Sequence, residues 1–586
     1  MRKRLSHFFA VIGFVVVMYA AIIGVMVLFT RKHVPKKTVL ELDLEQPMIE
    51  AVPDDPIADA MNRDTAKVRD VVEALERAEK DDRVVGVVAR IGATRMGFAQ
   101  AQEVRNAVLH FRRTKKFTIA FAETFGEFRS GGTSYYVATA FDQIWMQPSG
   151  DIAMTGIMLE SPFVKGTLGK LGMSFRGDHR YEYKNALNFY TESKYTPAHR
   201  EAMQKIMDSW FGQLVNGIAE ARHKSPQEIK ALIDRGPLLG KEALDGGLVD
   251  KLGYRDHAYD EVKKQAGSDA ELLYSTKYLP RAGRPHEKGK KIALIYGVGG
   301  VTRGKSSYDP VGGSFTMGSD TVAAAFRESA ADKDVKAILF RVDSPGGSYV
   351  ASDTIWREAA KAKQAGKPII VSMGDLAGSG GYFVAMNADK IVAQPGTITA
   401  SIGVLGGKVL TSGFWDKIGV SWDEVHTSQN STMWTGTHDY SPSEWARFEQ
   451  WLDRVYVDFT GKVAEGRRLP KEKVLQIAKG RIWTGEDAKA LGLVDELVGF
   501  PEALALAKKA GGIPDSEEVN LAVYPTPQPP LQQLLKKGAE NSEHDTSIAV
   551  MVEMLRSLQP ALRQLHAITA NPAEDVLKTP GFEITE

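Results

Sequence analysis

At 586 residues the chain is too long for one core, and its 43% hydrophobic and 25% charged content is that of a globular protein. Lys+Arg 74 against Asp+Glu 73 leaves no bias toward nucleic acid or an anionic surface. Cys 0 excludes disulfides, thiolate metal sites and a cysteine nucleophile. In chain order, the run from Phe8 to Thr30 carries no charge. At about 1.5 Å per residue it is long enough to cross a hydrocarbon core of about 30 Å. No small-residue cleavage site follows it, so residues 1–35 are expected to be a short stub and an uncleaved transmembrane helix. Arg2, Lys3 and Arg4 before the span nearly balance Arg31, Lys32, Lys36 and Lys37 after it, so charge alone leaves the orientation open.

From residue 36 onward short apolar strand patterns alternate with helix patterns, which predicts an α/β fold. The pattern is read twice. Asp81-Asp82-Arg83-Val84-Val85-Gly86-Val87 parallels Asp332-Lys333-Asp334-Val335-Lys336-Ala337-Ile338, and Gly247-Leu248-Val249-Asp250 parallels Gly492-Leu493-Val494-Asp495. Asp142 and Asp389, Gly156 and Gly403, and Gly172 and Gly419 all stand 247 residues apart, a constancy that implies internal duplication. The expected organisation is one α/β copy over 36–280, a Gly- and Pro-containing linker at 281–289, and a second copy over 290–513. A tail follows over 514–586, with a Pro-rich break near Tyr524 and an amphipathic helix pattern from Ile548 to Ile568.

The chemistry is divided between the copies. Ser379 follows the strand pattern Pro368-Ile369-Ile370-Val371 and opens a short apolar helix pattern, with glycine on both sides. A serine on a strand-to-helix turn is exposed to a ligand, and the helix N-terminus offers N–H groups to a developing negative charge. The position matching Ser379 in the first copy is Gly132; Ser130 and Ser134 nearby lack the Gly-Ser-Gly-Gly context. Ser344-Pro345-Gly346-Gly347 ends another strand pattern, and its first-copy partner has lost the Pro-Gly-Gly. Gly346 or Gly347 together with Gly380 are therefore the expected oxyanion donors. A serine needs a base. His179 and His426 are matched between the copies, which favours a structural role for both. Lys184 faces Ser431, so the lysine occurs only in the copy that lacks the serine. A lysine acts as a base near neutral pH only when its pKa falls, and apolar Tyr181, Tyr183, Ala186, Leu187 and Phe189 around Lys184 are suited to desolvate it.

The Ser379 stretch, the Ser344-Pro345-Gly346-Gly347 turn, Thr399-Ala400-Ser401-Ile402-Gly403-Val404, the Tyr183-Lys184 segment and the Gly-Leu-Val-Asp ends together resemble the signal peptide peptidase A family in its long, duplicated, membrane-anchored bacterial form. The resemblance runs from the anchor to about residue 510. It implies tandem domains of the Clp-protease/crotonase superfamily and a serine protease with a Ser/Lys dyad, Ser379 as nucleophile and Lys184 as base. It also implies that Ser401 holds the lysine amine, and that the substrates are signal-peptide remnants or other short apolar peptides. A homo-oligomer, usually of four chains, on the periplasmic side of the bacterial inner membrane is expected, with no metal, no cofactor and no nucleic acid. Asp343 stands where that family commonly has asparagine, and Gly378 where a second alanine often precedes the serine. A crotonase-like acyl-CoA enzyme and a non-catalytic membrane scaffold are the alternatives; CoA binding and labelling of the serine by a fluorophosphonate separate them from a protease.

Overall fold

A computed structural model describes residues 33–52, 58, 61–62, 65–92, 96–309, 313–526, 577–578 and 583–585, with Met18 at the N-terminal end. The expected anchor at Phe8–Thr30 and the helix expected over Ile548–Ile568 lie outside the described residues, apart from Met18. No helix among the described residues is long and apolar enough to cross a membrane.

In chain order the first copy comprises β1 (Thr38–Leu44), α1 (Val68–Glu79), β2 (Val84–Ile91), α2 (Phe98–Arg112), β3 (Phe117–Ala122), α3 (Gly132–Ala138), β4 (Gln143–Met146), β5 (Ser174–Arg180), α4 (Pro197–Ala221), β6 (Lys251–Leu252) and β7 (Glu271–Tyr274). The second comprises β8 (Lys290–Val298), α5 (Ser319–Ala331), β9 (Val335–Ser344), α6 (Tyr349–Gln364), β10 (Ile369–Gly378), α7 (Gly380–Ala385), β11 (Lys390–Ala393), β12 (Ile398–Ala400), β13 (Val404–Leu410), α8 (Pro442–Arg467), β14 (Glu496–Leu497) and β15 (Val519–Tyr524).

Each copy builds a parallel sheet in one strand order. The first runs β6-β4-β3-β2-β1-β7; the second runs β14-β11-β10-β9-β8-β15. Their central strands are continuous Val, Ile, Leu and Ala runs because apolar packing covers both faces of each sheet, one cluster on either side. The repeated motifs do the same work twice. Asp142 accepts the Thr118 N–H at 3.1 Å, and Asp389 the Ile369 N–H at 2.8 Å, each tying the start of one strand to the next connection. The Gly-Leu-Val-Asp ends place Asp250 and Asp495 on the N–H groups of Ile144 and Ile391, both at 2.7 Å. Tyr135 and Tyr382 donate their hydroxyls to Leu248 and Leu493 carbonyls in the same motifs. The second sheet runs past the boundary expected at 513, because β15 pairs with β8 as β7 pairs with β1.

Among the contacts that fasten the copies together, two stand out. Arg341 of β9 is buried, and its guanidinium takes Glu50 through both carboxylate oxygens at 2.9 Å and Glu103 of α2 at 2.9 Å, while Ser372 of β10 accepts a further bond at 2.8 Å. The second fastening is an antiparallel ribbon: β13 of the second copy pairs with β5 of the first, from Leu410 opposite Ser174 to Val404 opposite Arg180. Glycines permit the close approach, since a Cβ on Gly177 would lie 2.3 Å from the Gly406 carbonyl oxygen.

Candidate active site

The ribbon determines what meets at its end. The first-copy strand leads from Arg180 directly to Lys184, and Ser401 lies just before Val404 on the partner strand. Lys184 caps the short 3-10 helix Asn185–Leu187 and is fully buried. Its Nζ lies 2.7 Å from Ser379 Oγ, 3.1 Å from Ser401 Oγ and 3.1 Å from the Ser401 carbonyl oxygen. Burial pushes the Lys184 pKa well below its ordinary value, and no carboxylate contributes to offset it. Burial thus favours the neutral amine, whose lone pair can accept the Ser379 hydroxyl proton.

Ser379 stands between the end of β10 and the start of α7. Its φ of 53°, with 67° at Ala400 and 51° at Ser401, places three non-glycine residues in the left-handed region around one point. The strain is held by backbone bonds: Ser379 N–H donates to Ala400 at 2.6 Å, and Ser401 N–H to Arg481 at 2.9 Å. A third chain segment closes the site. Gly480 has φ +80°, and a Cβ there would lie 2.5 Å from Lys184 Cβ. Its N–H donates to Ile402, while Tyr183 N–H donates to Lys479.

The Gly346 N–H donates to Ser344 Oγ at 3.2 Å, and Ser344 Oγ donates to the Gly299 carbonyl at 2.7 Å. The Gly346-Gly347 backbone lies against the serine turn, since a Cβ on Gly380 would be 3.1 Å from both Gly346 Cα and Gly347 N. Thus the structure brings Ser379, Lys184, Ser401, Gly346, Gly347 and Gly380 into one locality.

The histidines stand apart from it. His179 Nδ1 lies 2.8 Å from the Tyr181 carbonyl, and His426 is exposed beside Glu424. His199 is buried against Phe163 and Tyr195, and burial lowers its pKa to about 4. Among the described residues no cluster of His, Asp and Glu is arranged to hold a metal. One expectation needs amending. Tyr181 is half-exposed and packs edge-on to Tyr456, while Gly480 and the Ser401 turn lie against Lys184. The segment matching β5 in the second copy, around His426, forms no strand, so equal spacing does not mean equal structure there. Gly480 was missed from sequence; its one local sign is a glycine between Lys479 and Arg481, which a turn explains equally well.

A family model described as Peptidase family S49 matches residues 110–269 and 361–513, one segment in each copy. The chain belongs to peptidase family S49. Among relatives of this serine protease, Protease 4 of Salmonella typhi is 33% identical over 75% of this chain and 71% of its own length. Protease 4 of Haemophilus influenzae is 30% identical over 75% of this chain and 72% of its own. The chloroplastic serine protease SPPA of Arabidopsis thaliana is 28% identical over 79% and 68%. Membership of the S49 family gives the duplicated α/β architecture its chemical class: peptide-bond hydrolysis by a serine.

Proposed function

We propose that this S49 peptidase works through a Ser/Lys dyad split between its copies, with Ser379 as nucleophile and Lys184 as general base. The observation that carries the reading is the 2.7 Å contact between a fully buried Lys184 amine and the Ser379 hydroxyl. The neutral amine takes the Ser379 proton as Oγ bonds to the substrate carbonyl carbon, and becomes an ammonium held by Ser401 Oγ and the Ser401 carbonyl. The carbonyl oxygen becomes an oxyanion, received by the N–H groups of Gly346, Gly347 and Gly380. Gly346 holds Ser344 Oγ until then. The ammonium returns its proton to the leaving amine as the peptide C–N bond breaks. Water then attacks the acyl-enzyme, the amine again acting as base, and releases Ser379.

The substrate class is short, apolar, extended peptides such as signal-peptide remnants, in line with the resemblance of the motifs. The uncharged run from Phe8 to Thr30 supports a single membrane anchor, with the catalytic body on the periplasmic side of the inner membrane. Exposed Ile418, Trp422, Val425 and Trp434 on one stretch of the second copy support association with further copies of the chain.

The test is hydrolysis of an apolar peptide by wild type, Ser379→Ala and Lys184→Ala from pH 6 to 10. Because burial lowers the Lys184 pKa, wild-type activity rises as pH passes through that depressed value and is level well before an exposed lysine would titrate. Both variants lose turnover with unchanged thermal melting. Near-normal rates in Lys184→Ala would sink the split dyad.

A further inference from the structure

One residue of the second copy reaches the surroundings of the Lys184 amine from two directions. Arg481 stands immediately before the strand Ile482–Thr484, which pairs antiparallel with β12 and so brings residue 481 beside Ser401. Its carbonyl accepts the Ser401 N–H at 2.9 Å, and Ser401 is the residue whose hydroxyl and carbonyl hold Lys184 Nζ. Its side chain meets the first copy. The guanidinium carbon lies 4.6 Å from the centre of the Tyr183 ring and 4.4 Å from that of Trp483. Tyr183 is the residue that precedes Lys184.

Glu201, on α4 of the first copy, completes the arrangement. One of its carboxylate oxygens takes Arg481 at 2.8 Å, and the other accepts the Tyr183 hydroxyl at 2.8 Å. The Arg481 side chain is 15% exposed and the Glu201 side chain 56%, so the guanidinium is enclosed while the carboxylate meets solvent. An exposed ion pair alone contributes little. A guanidinium laid on aromatic rings differs: it is flat, weakly hydrated and always charged, and it covers apolar surface without drawing in water. Arg481 Nε is buried with no hydrogen-bond partner among the described residues, an unfavourable arrangement that the ring contacts and the Glu201 pair outweigh.

We propose that Arg481 is a positioning residue: with Tyr183 and Glu201 it holds the Lys184 segment in register with Ser401 and keeps water from the amine. The inference rests on the reading of Lys184 as general base. The other charged and titratable groups around this corner have partners of their own. Glu182 pairs with Lys479 at 3.0 Å, and Arg180 with Asp178 and Asp453. Tyr181 packs edge-on to Tyr456, and His199, on the helix of Glu201, lies against Asn188. The depressed pKa of Lys184 has burial as its cause. A side chain that keeps the site dry therefore controls that pKa, and admitting water raises it toward the ordinary lysine value.

The experiment measures kcat, KM and the rate of Ser379 labelling by a fluorophosphonate from pH 6 to 10. It compares wild type with Arg481→Ala, Arg481→Lys, Glu201→Gln, Tyr183→Phe and Lys205→Ala. Lys205, on the same helix as Glu201, pairs with Asp487 of the second copy at 3.3 Å and serves as the control for a loosened junction. In Arg481→Ala kcat is expected to fall about 10- to 30-fold with KM within about twofold, and the rising limb to move up by about 0.5–1 pH unit. Arg481→Lys keeps the charge but not the flat stack, and is expected to lie close to Arg481→Ala. Glu201→Gln and Tyr183→Phe are expected to move the limb the same way by smaller amounts, and Lys205→Ala to leave it in place. The direction in Glu201→Gln is decisive, because a lost carboxylate acting only through its charge moves the limb down. That variant changes an exposed group, so it answers the question even if Arg481→Ala does not fold. A rate loss in Arg481→Ala with the limb unmoved, or a downward limb in Glu201→Gln, would overturn the proposal. If Lys184→Ala in the same series keeps near-normal rates, it is the base reading that has failed.

Discussion

The two copies share a sheet order, the same aspartate ties and the same tyrosine-to-carbonyl bonds, yet their equivalent turns have opposite chemical worth. In the second copy the Ser379 hydroxyl meets a buried amine at 2.7 Å. In the first, Gly132 stands at the matching position, and the nearby Ser130 Oγ is buried with no hydrogen-bond partner among the described residues. Lys184 is enclosed in the first copy's contribution to the site, whereas its counterpart Ser431 is exposed and bonds to Ser428 in its own loop. Holding a strand-to-helix turn is thus not what distinguishes the copies; what differs is the buried amine that meets the second-copy turn. In the proposed mechanism, duplication let one copy keep the turn's chemistry and the other supply the base.

The sharpest way to break this comparison is to remove a serine from each copy. Ser379→Ala is expected to lower kcat by about 10³-fold or more, while Ser130→Ala and Ser134→Ala stay within about twofold, all read as initial rates on one peptide. Gly480→Ala comes next. Its φ of +80° disfavours a side chain, and the added Cβ presses on Lys184, so a loss of about 10²-fold in kcat is expected with the circular dichroism spectrum retained. Ser401→Ala removes one of the two oxygens of that residue that hold the amine and is expected to cost about tenfold in kcat, with the rising limb of the pH profile displaced. The smallest effect belongs to Asp343. Its carboxyl accepts the Leu376 N–H at 2.9 Å, linking the strand before Gly346 to the segment before Ser379. Burial, then the neighbouring Glu50 carboxylate, raise its pKa to about 7, with Arg341 and the Asp375 and Leu376 N–H groups acting the other way. It is therefore uncharged below about pH 7 and negative above, where its charge opposes an oxyanion forming on the next turn. Asp343→Asn keeps an acceptor without the charge. The ratio of variant to wild-type kcat is expected to rise by about 2- to 10-fold from pH 6 to 8. A flat ratio would dismiss the electrostatic role.

Much of this was legible in the sequence, for reasons that are local. The duplication shows because Asp142 and Asp389, or the Gly-Leu-Val-Asp ends, must occupy fixed places to tie neighbouring strands, and fixed places leave constant spacing. Ser379 and Gly346-Gly347 show because their turns need glycine within a few residues. Lys184 emerged from its absence in the other copy. The rest depends on contacts far apart in the chain. Nothing near Arg341 announces that Glu50 and Glu103 neutralise it, and a glycine at 480 gives no hint that it covers a lysine at 184. The β5–β13 ribbon was invisible for the same reason. Its first-copy strand has a matched segment around His426 that is not a strand.

The ribbon has a consequence for when the molecule becomes dangerous to other chains. Lys184 and Ser379 are separated by 195 residues, and they meet only after β13 has been made and laid against β5. At about 5–20 residues per second of synthesis, roughly 10–40 s pass between the appearance of the proposed base and that of the nucleophile. On the proposed dyad, the growing chain holds half of a peptidase during that interval and cuts nothing, itself included. Proteolytic competence is then expected in one late step, when the second copy docks on the first.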